Sequence, residues 1–423
     1  MVDTDRFLTH SLRDARIARI LAAALEAVEP GRIVKGFLKE TALPAHERLF
    51  LLGIGKAAEP MVMATAEALP DFTKALVITK RAAAPSTKRV EIMEAGHPVP
   101  DARSVIAGRA ALDFVSRLNE NDLLICLISG GGSALVTSPR TGVGLRDIQV
   151  ITSALMAAGA GIEEINTLRR HLDSIKGGGL ARATKARVMS LLLSDVVGNR
   201  LEAIASGPTA PDPTTGADAL AVLTRYGITA PANLYSLLSA QPSNENTSLA
   251  RVTNDVIASN ELAARAALDH AQREGFHTEI LRTDLQGEAR LLGQRLADRL
   301  RRDLREKHRP FCLIAGGETT VSIQGDGKGG RNQELALAAV GILAGLEDVL
   351  LLSLATDGDD GPTDAAGAVV TGETEQRARA AGLEAEKYLS RNDSYSYFSV
   401  LGDLLKPGYS GTNVNDLMFL FAL

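Results

Sequence analysis

Tryptophan is absent from this 423-residue chain, and Phe and Tyr together make up only 4% of it. Platforms that bind single-stranded nucleic acid stack successive bases on such rings, so the composition argues against that partner. A surplus of positive charge is missing too. Lys and Arg number 46 against 51 Asp and Glu, which leaves a formal net charge of −5. Binding to a polyanion is driven by clustered cations, so no nucleic-acid partner is expected and the basic residues must act locally. Cysteine is scarce: Cys126 and Cys312 each sit inside an apolar run. Two isolated thiols make neither a disulfide framework nor a zinc cluster, which suits a reducing compartment. No uninterrupted apolar stretch approaches the ~18 residues of a spanning helix. The opening "MVDTDRFLTH" lacks a basic segment followed by an apolar one, so the expectation is a cytoplasmic protein with no membrane partner.

What is present is enough chain for two domains, since a single core rarely keeps growing to this length. Leu8, Leu12, Ile17, Ile20, Leu21, Leu25 and Val28 recur at three- and four-residue spacings, which predicts an amphipathic helix over 7–28. Short apolar runs then alternate with helical patterns: "RLFLLG" (48–53), "ALVIT" (75–79), "LLICLIS" (123–129) and "VMSLLLS" (188–194). That alternation predicts a mainly parallel sheet covered on both faces. Between about 208 and 250 the texture turns to Pro, Ser, Thr and Asn, and the domain boundary is placed at 245, giving domains 1–245 and 246–423. The pattern restarts with "RVTNDVIAS" (251–259) and "FHTEIL" (276–281), followed by a long helix across 286–307. Three more strands follow, "PFCLIAGG" (310–317), "VLLLSLAT" (349–356) and the terminal "DLMFLFAL". The fold class expected is therefore α/β, with a larger doubly wound domain and a smaller α/β domain.

In an open α/β sheet, ligands collect beyond the carboxyl ends of the strands, and the unusual residues fall at those ends. After "CLIS" come Gly130, Gly131, Gly132 and Ser133. Glycines admit positive φ and close approach of a ligand, and a following helix start favours an anion. A plain turn with Ser133 as its cap uses the same residues. "LLGIGKAAEP" satisfies the relaxed G-x-G-x-x-G/A pattern through Gly53, Gly55 and Ala58 and offers Lys56 as a point charge for phosphate. The next strand ends in Lys80 and Arg81 rather than the acidic residue a ribose would need. "LLLSDVVGNR" brings Asp195 and Asn199 to another strand end, where Asp195 is suited to hold Mg²⁺ or accept a hydroxyl proton.

In the second half, Glu318 follows a strand. Arg331 stands at a helix start after a glycine-rich basic loop, where its planar fork suits phosphate oxygens. "ATDGDDGPTDAAGA" gathers Asp357, Asp359, Asp360 and Asp364, hard oxygen donors of the kind Mg²⁺ takes. Cradled phosphates, a metal and positioned charge are the parts of phosphoryl transfer. No Walker A frame, protein-kinase signature or G-x-S-x-G elbow is present.

Taken in order, "GIGKAA", "AGHPVPD", "LISGGGSALV", "LSDVVGN", "IASGPTAPDPTT", "AGGETTV", "GGRNQELAL", "ATDGDDGPTDAAGA" and "GTNVNDL" resemble the class II glycerate 2-kinase family, whose carboxyl half is the MOFRL domain. The motifs run across nearly the whole chain. The resemblance implies a Rossmann-like amino-terminal domain, a smaller α/β MOFRL domain and an active site in the cleft between them. It implies phosphorylation of D-glycerate at O2 with ATP and Mg²⁺, giving 2-phospho-D-glycerate. Lys56, Arg331 and Asp195 would be catalytic, and Asp357 and Asp195 would meet the metal. Gly130, Gly131, Gly132, Ser133, Asn199 and Glu318 would bind substrate or phosphate. Position 199 is Asn, which brings no carboxylate to a metal. The partners implied are D-glycerate and ATP, and a homodimer is left open. Two other readings stay open: an NADP-linked hydroxypyruvate reductase, favoured by the relaxed glycine pattern and Arg81, and a non-catalytic sensor of a phosphorylated acid.

Overall fold

A computed structural model describes residues 2–83, 85–240 and 249–423. The boundary expected at 245 lies outside these residues. The chain divides into two compact units, Pro30–Ile257 and a second made of Ala258–Leu423 together with Met1–Glu29.

The first unit holds β1 (Arg48–Ile54), β2 (Lys74–Thr79), β3 (Val90–Glu94), β4 (Asp122–Ile128), β5 (Arg187–Leu193) and β6 (Val252–Ala258), in spatial order β3-β2-β1-β4-β5-β6. The β1–β2, β2–β3, β1–β4 and β4–β5 pairs are parallel. This is a doubly wound sheet, as the apolar runs predict. β4 is buried at every position, because a strand inside a sheet with helices on its faces must be apolar on both sides. Phe50, Leu52 and Ile54 of β1 and Leu124, Cys126 and Ile128 of β4 share one core with Ala107, Ala111 and Val115 of the helix Ala102–Ser116. A satellite core ties the helices Leu145–Ala157 and Ile162–Leu172 to Gly216–Arg225 through Ile151, Leu168 and Leu223.

"RVTNDVIAS" opens no second domain: it supplies β6, at the edge of the first sheet. Its alternating pattern fits an edge strand of either sheet, and the polar tract before it is not where the units part. β3, half-exposed along most of its length, has no continuous apolar run to announce it.

The second unit holds β7 (His277–Glu288), β8 (Phe311–Thr320), β9 (Val349–Ala355), β10 (Gly367–Thr371), β11 (Leu404–Leu405) and β12 (Asp416–Ala422), in order β11-β10-β9-β12-β8-β7. β7 and β8 are parallel, whereas β12 runs antiparallel to both β8 and β9. The second unit is the smaller α/β domain that the restarted pattern predicts, and its sheet is mixed. The chain's last strand enters between β8 and β9, which the helix Arg331–Leu343 connects. Antiparallel insertion has a functional consequence: Asp416, the first residue of β12, is registered against Gly317 and Ala355 at the carboxyl ends of its neighbours.

The amino-terminal helix is shorter than the 7–28 expected. Thr4–Phe7 is a 3-10 turn, and the helix proper runs Ala15–Glu26, opened by the Asp14 carboxylate accepting from the Arg16 N–H. Leu8 is exposed while Leu12 is buried. The segment belongs with the second unit because the Asp403 carboxylate accepts from Thr9 Oγ1 at 3.1 Å and from Ser11 N at 2.7 Å. Arg19 pairs with Glu274 at 2.6 Å. Cys126 and Cys312 are buried free thiols inside β4 and β8. Among the described residues no helix is long and apolar enough to cross a membrane.

Candidate active site

In the order β3-β2-β1-β4-β5-β6 the winding reverses between β1 and β4, so the connections leaving those two strands diverge and open a crevice at their carboxyl ends. The two connections are stitched together there. Lys56 N donates to Gly130 O at 3.0 Å, and Ala57 N donates to Ser129 Oγ at 3.0 Å. Gly55 has φ 130°, and a β-carbon on it would run into Ser129. Gly131 also lies in the left-handed region, at φ 83°. A β-carbon on Gly131 would lie 3.0 Å from His97 Nε2 and 3.2 Å from Lys56 Cγ, and one on Gly130 would overlap the Asp195 carboxylate. The absence of side chains at 130 and 131 is therefore what lets Asp195 close on Gly130, and His97 and Lys56 on Gly131. Burial first, then Lys56 and Lys80, push His97 down to about 4, so its ring is neutral near pH 7. Its Nδ1 is buried without a hydrogen-bond partner among the described residues.

Beyond the glycines a short helix, Gly132–Leu135, begins, and its first internal bonds come from Ala134 and Leu135 to Gly131 O. The N–H groups of Gly132 and Ser133 precede them. Ser133 does not cap this helix: its Oγ lies 2.8 Å from Ser206 Oγ, and Ser206 in turn donates to Asn166 Oδ1 at 3.3 Å. Ser206 sits in a run of three left-handed residues, Ala205, Ser206 and Gly207, at φ 50°, 61° and 62°. Left-handed backbone costs a non-glycine residue roughly 1–2 kcal/mol, so this conformation is held in place by its surroundings. Asn199, at φ 53°, follows Gly198 in another left-handed turn that closes on Val196 O. Asn is among the few side chains that tolerate such a turn.

In the second unit Arg331 opens the helix Arg331–Leu343 and is clamped by carboxylates from two strands. Its Nε lies 2.6 Å from Asp416 Oδ2, and Nη1 donates to Glu318 Oε1 at 2.8 Å. Burial opposes the charge on Arg331, yet Asp416 and Glu318 outweigh it and raise the guanidinium above its ordinary range. Asp416 is fully buried, and burial pushes it up to about 7 against the pull of Arg331. Glu318, expected among the phosphate-binding residues, is placed as a partner of that arginine.

The glycine-rich loop before Arg331 is packed rather than open. β-carbons on Gly325 and Gly327 would strike the backbone of Arg391 and Asp393, and Gln324 and Gly325 donate to Asn392 Oδ1. Nor do the four aspartates of the acidic loop act as one group. Asp360 is buried and accepts from the Asn332 and Gln333 N–H groups at 3.1 and 2.9 Å, which caps the arginine helix. Asp364 bonds Tyr395 and Lys406. Asp357 accepts from the Asp359 N–H at 3.2 Å and follows the carboxyl end of β9. Among the described residues no three His, Cys, Asp or Glu side chains gather closely enough to hold a metal. The donor set fits Mg²⁺ only in the manner usual for nucleotide-bound metal, one or two carboxylates with phosphates and waters completing the shell. Asp195 in the first unit and Asp357 in the second are each carboxylates that follow a strand end; Asp360 is engaged by the helix.

Sequence reasoning passed over His97, Asp416, Ser206 and Asn166. His97 stands inside the quoted "AGHPVPD" and Ser206 inside "IASGPT", so their motifs were visible though their roles were not. Asp416 is 85 residues from Arg331, and only the strand insertion joins them.

Glycine turns and cations at a switch point, and an arginine fixed by two carboxylates at a second strand edge, define an α/β protein equipped to hold small anions. The family described as a domain of unknown function, DUF4147, matches residues 16–239, and the MOFRL family matches residues 311–416. D-glycerate 2-kinase of Thermotoga maritima is 44% identical over 94% of this chain and 96% of its own, and glycerate 2-kinase of Pyrococcus horikoshii is 39% identical over 95% of each. A protein of Agrobacterium vitis, provisionally named a hydroxypyruvate reductase, is 39% identical over 95% of this chain and 92% of its own. The crystal structure of the glycerate kinase from T. maritima superposes with a TM-score of 0.90, covering 96% of this chain and 98% of that one at 43% identity. The chain belongs to the glycerate 2-kinase family with DUF4147 and MOFRL halves.

Proposed function

We propose that this protein phosphorylates D-glycerate at O2, with ATP as donor and Mg²⁺ as its metal, giving 2-phospho-D-glycerate and ADP in the cytoplasm. The observation that carries this reading is the convergence of Lys56, Asp195 and the Gly130–Gly132 turn at the switch point of the first sheet. It places a cation, a carboxylate and a close-approach surface where an α/β sheet takes its ligand. The names of relatives that match nearly end to end support it.

In the reaction, glycerate O2 bonds to the γ-phosphorus as the bond to the β–γ bridging oxygen breaks, and ADP leaves with that electron pair. The O2 proton passes to the Asp195 carboxylate, the strand-end acid beside the glycine turn. Lys56 and Arg331 offset charge that builds on the phosphoryl oxygens. Arg331 does so in fixed geometry, because Asp416 and Glu318 hold its fork. Mg²⁺ would lower the charge of the triphosphate, and Asp195 in the first unit and Asp357 in the second are the carboxylates suited to meet it.

The test is ADP release by the purified protein with and without D-glycerate, with the product's phosphate position read by phosphorus NMR. ADP formed only with D-glycerate, and a 2-phosphate product, uphold the reading. The relaxed glycine pattern does lie in a strand-turn-helix, with Gly53 packed so that a β-carbon would sit 2.6 Å from Val62. Oxidation of NADPH by hydroxypyruvate without ATP would therefore overturn the kinase in favour of the reductase.

A further inference from the structure

The helix Ile162–Leu172 turns one face toward the segment that follows the glycine turn. Asn166 accepts from Ser206, which bonds Ser133, and Arg170 pairs with Asp212 at 2.7 Å. Just past the helix end, Asp173 receives the Ser138 N–H, and Lys176 reaches both Asp173 and Val136 O. Arg169 lies three residues beyond Asn166 on this face. It is half-buried, and among the described residues it makes no ion pair or hydrogen bond. Its cationic neighbours are each matched: Arg170 by Asp212, Lys176 by Asp173, whose other oxygen is held by the Ile175 N–H. Arg169 is close enough to Lys176 to bear on its charge, and its own guanidinium is lowered by burial alone. A surplus, partly desolvated cation therefore lies near Lys176, one helical turn from the Asn166 that accepts from the Ser133–Ser206 hydroxyl pair. Removal of a guanidinium from water without a partner is costly, so the arrangement is complete only with an anion from outside the chain.

We propose that Arg169 binds the carboxylate of the acceptor substrate, with the Ser133 and Ser206 hydroxyls beside it. A carboxylate matches the planar fork through two parallel hydrogen bonds, and Lys56 remains for the phosphoryl group. This assignment rests on the glycerate kinase reading and names the residue that makes the enzyme choose an acid over a neutral polyol.

The experiment compares wild type with Arg169→Lys and Arg169→Gln, both checked for native circular dichroism, in ADP-release assays and in calorimetric titrations with D-glycerate, glycerol and ATP. Loss of a charge-assisted pair predicts a KM for D-glycerate about 10- to 100-fold higher in R169Q, a smaller rise in R169K and an unchanged KM for ATP. Unaltered D-glycerate KM in both variants overturns the proposal, and so does a rise confined to ATP, which would give Arg169 to the nucleotide. If wild type releases no ADP with D-glycerate, the kinase reading fails. D-glycerate binding by wild type and not by R169Q would still uphold the carboxylate site, whereas no binding to either would overturn it.

Discussion

Arg331 and Asp416 meet at 2.6 Å with the carboxylate fully buried and the guanidinium partly exposed. Removing one partner of such a pair leaves an uncompensated buried charge, at a cost of about 3–5 kcal/mol. Arg331→Ala is therefore expected to lower the urea midpoint as well as abolish turnover. The double variant R331A/D416N separates the two effects: stability should recover while turnover stays lost. Recovery of turnover in the double variant would remove Arg331 from the chemistry.

Asp416→Asn alone keeps the shape and withdraws the charge that orients the arginine. Because Asp416 acts through Arg331, the expected signature is a fall in kcat of ~10- to 100-fold, the scale of one misaligned electrostatic donor. KM for D-glycerate should change little. A fall in kcat/KM caused wholly by KM would show that Asp416 shapes substrate binding instead.

Lys56 carries no such structural debt, since its backbone makes the stitching bond to Gly130. Lys56→Ala should thus keep the wild-type melting temperature while losing about 10²- to 10³-fold in turnover. Near-normal turnover would return Lys56 to the role of a surface lysine.

His97 gives the first unit a defined response to acid. Its ring is pushed down to about 4 from an ordinary 6.5, with burial as the main cause. A depressed histidine contributes stability that is complete above 6.5 and is lost as pH falls through 4, because the unfolded chain takes up the proton first. Wild type should lose more thermal stability between pH 7 and pH 4.5 than His97→Asn, as followed by circular dichroism melts. Parallel losses would assign the acid sensitivity elsewhere.

The first sheet was legible because β1, β2, β4 and β5 are short apolar runs, and burial on both faces leaves no other composition for such strands. The strand ends were legible as well, since glycines, Lys56 and Asp195 depart sharply from the runs they follow. Four things were not. β3, half-exposed, has no apolar run to announce it. β6 reads as a strand without saying which sheet it joins. β12 reads as a terminal strand without saying that it enters antiparallel, so the Arg331–Asp416 pair stayed hidden. The acidic loop reads as a metal site because composition cannot reveal that Asp360 is engaged by the Asn332 and Gln333 N–H groups. Local chemistry is written in order along the chain, whereas partnership across a sheet is set by topology.

The glycine turn offers two neighbouring substitutions with different outcomes. Gly130 is outside the left-handed region, so Gly130→Ala carries no backbone strain, and its only cost is the overlap of the new methyl with the Asp195 carboxylate. Asp195 must move, and kcat should fall with modest change in KM. Gly131 has φ 83°, so Gly131→Val combines left-handed strain with a side chain directed at His97 and Lys56. There the KM for D-glycerate should rise steeply, and the protein should also melt earlier by the equivalent of roughly 1–2 kcal/mol or more. If instead G130A leaves kcat intact, Asp195 is not the proton acceptor, and the close contact between the two residues is only packing.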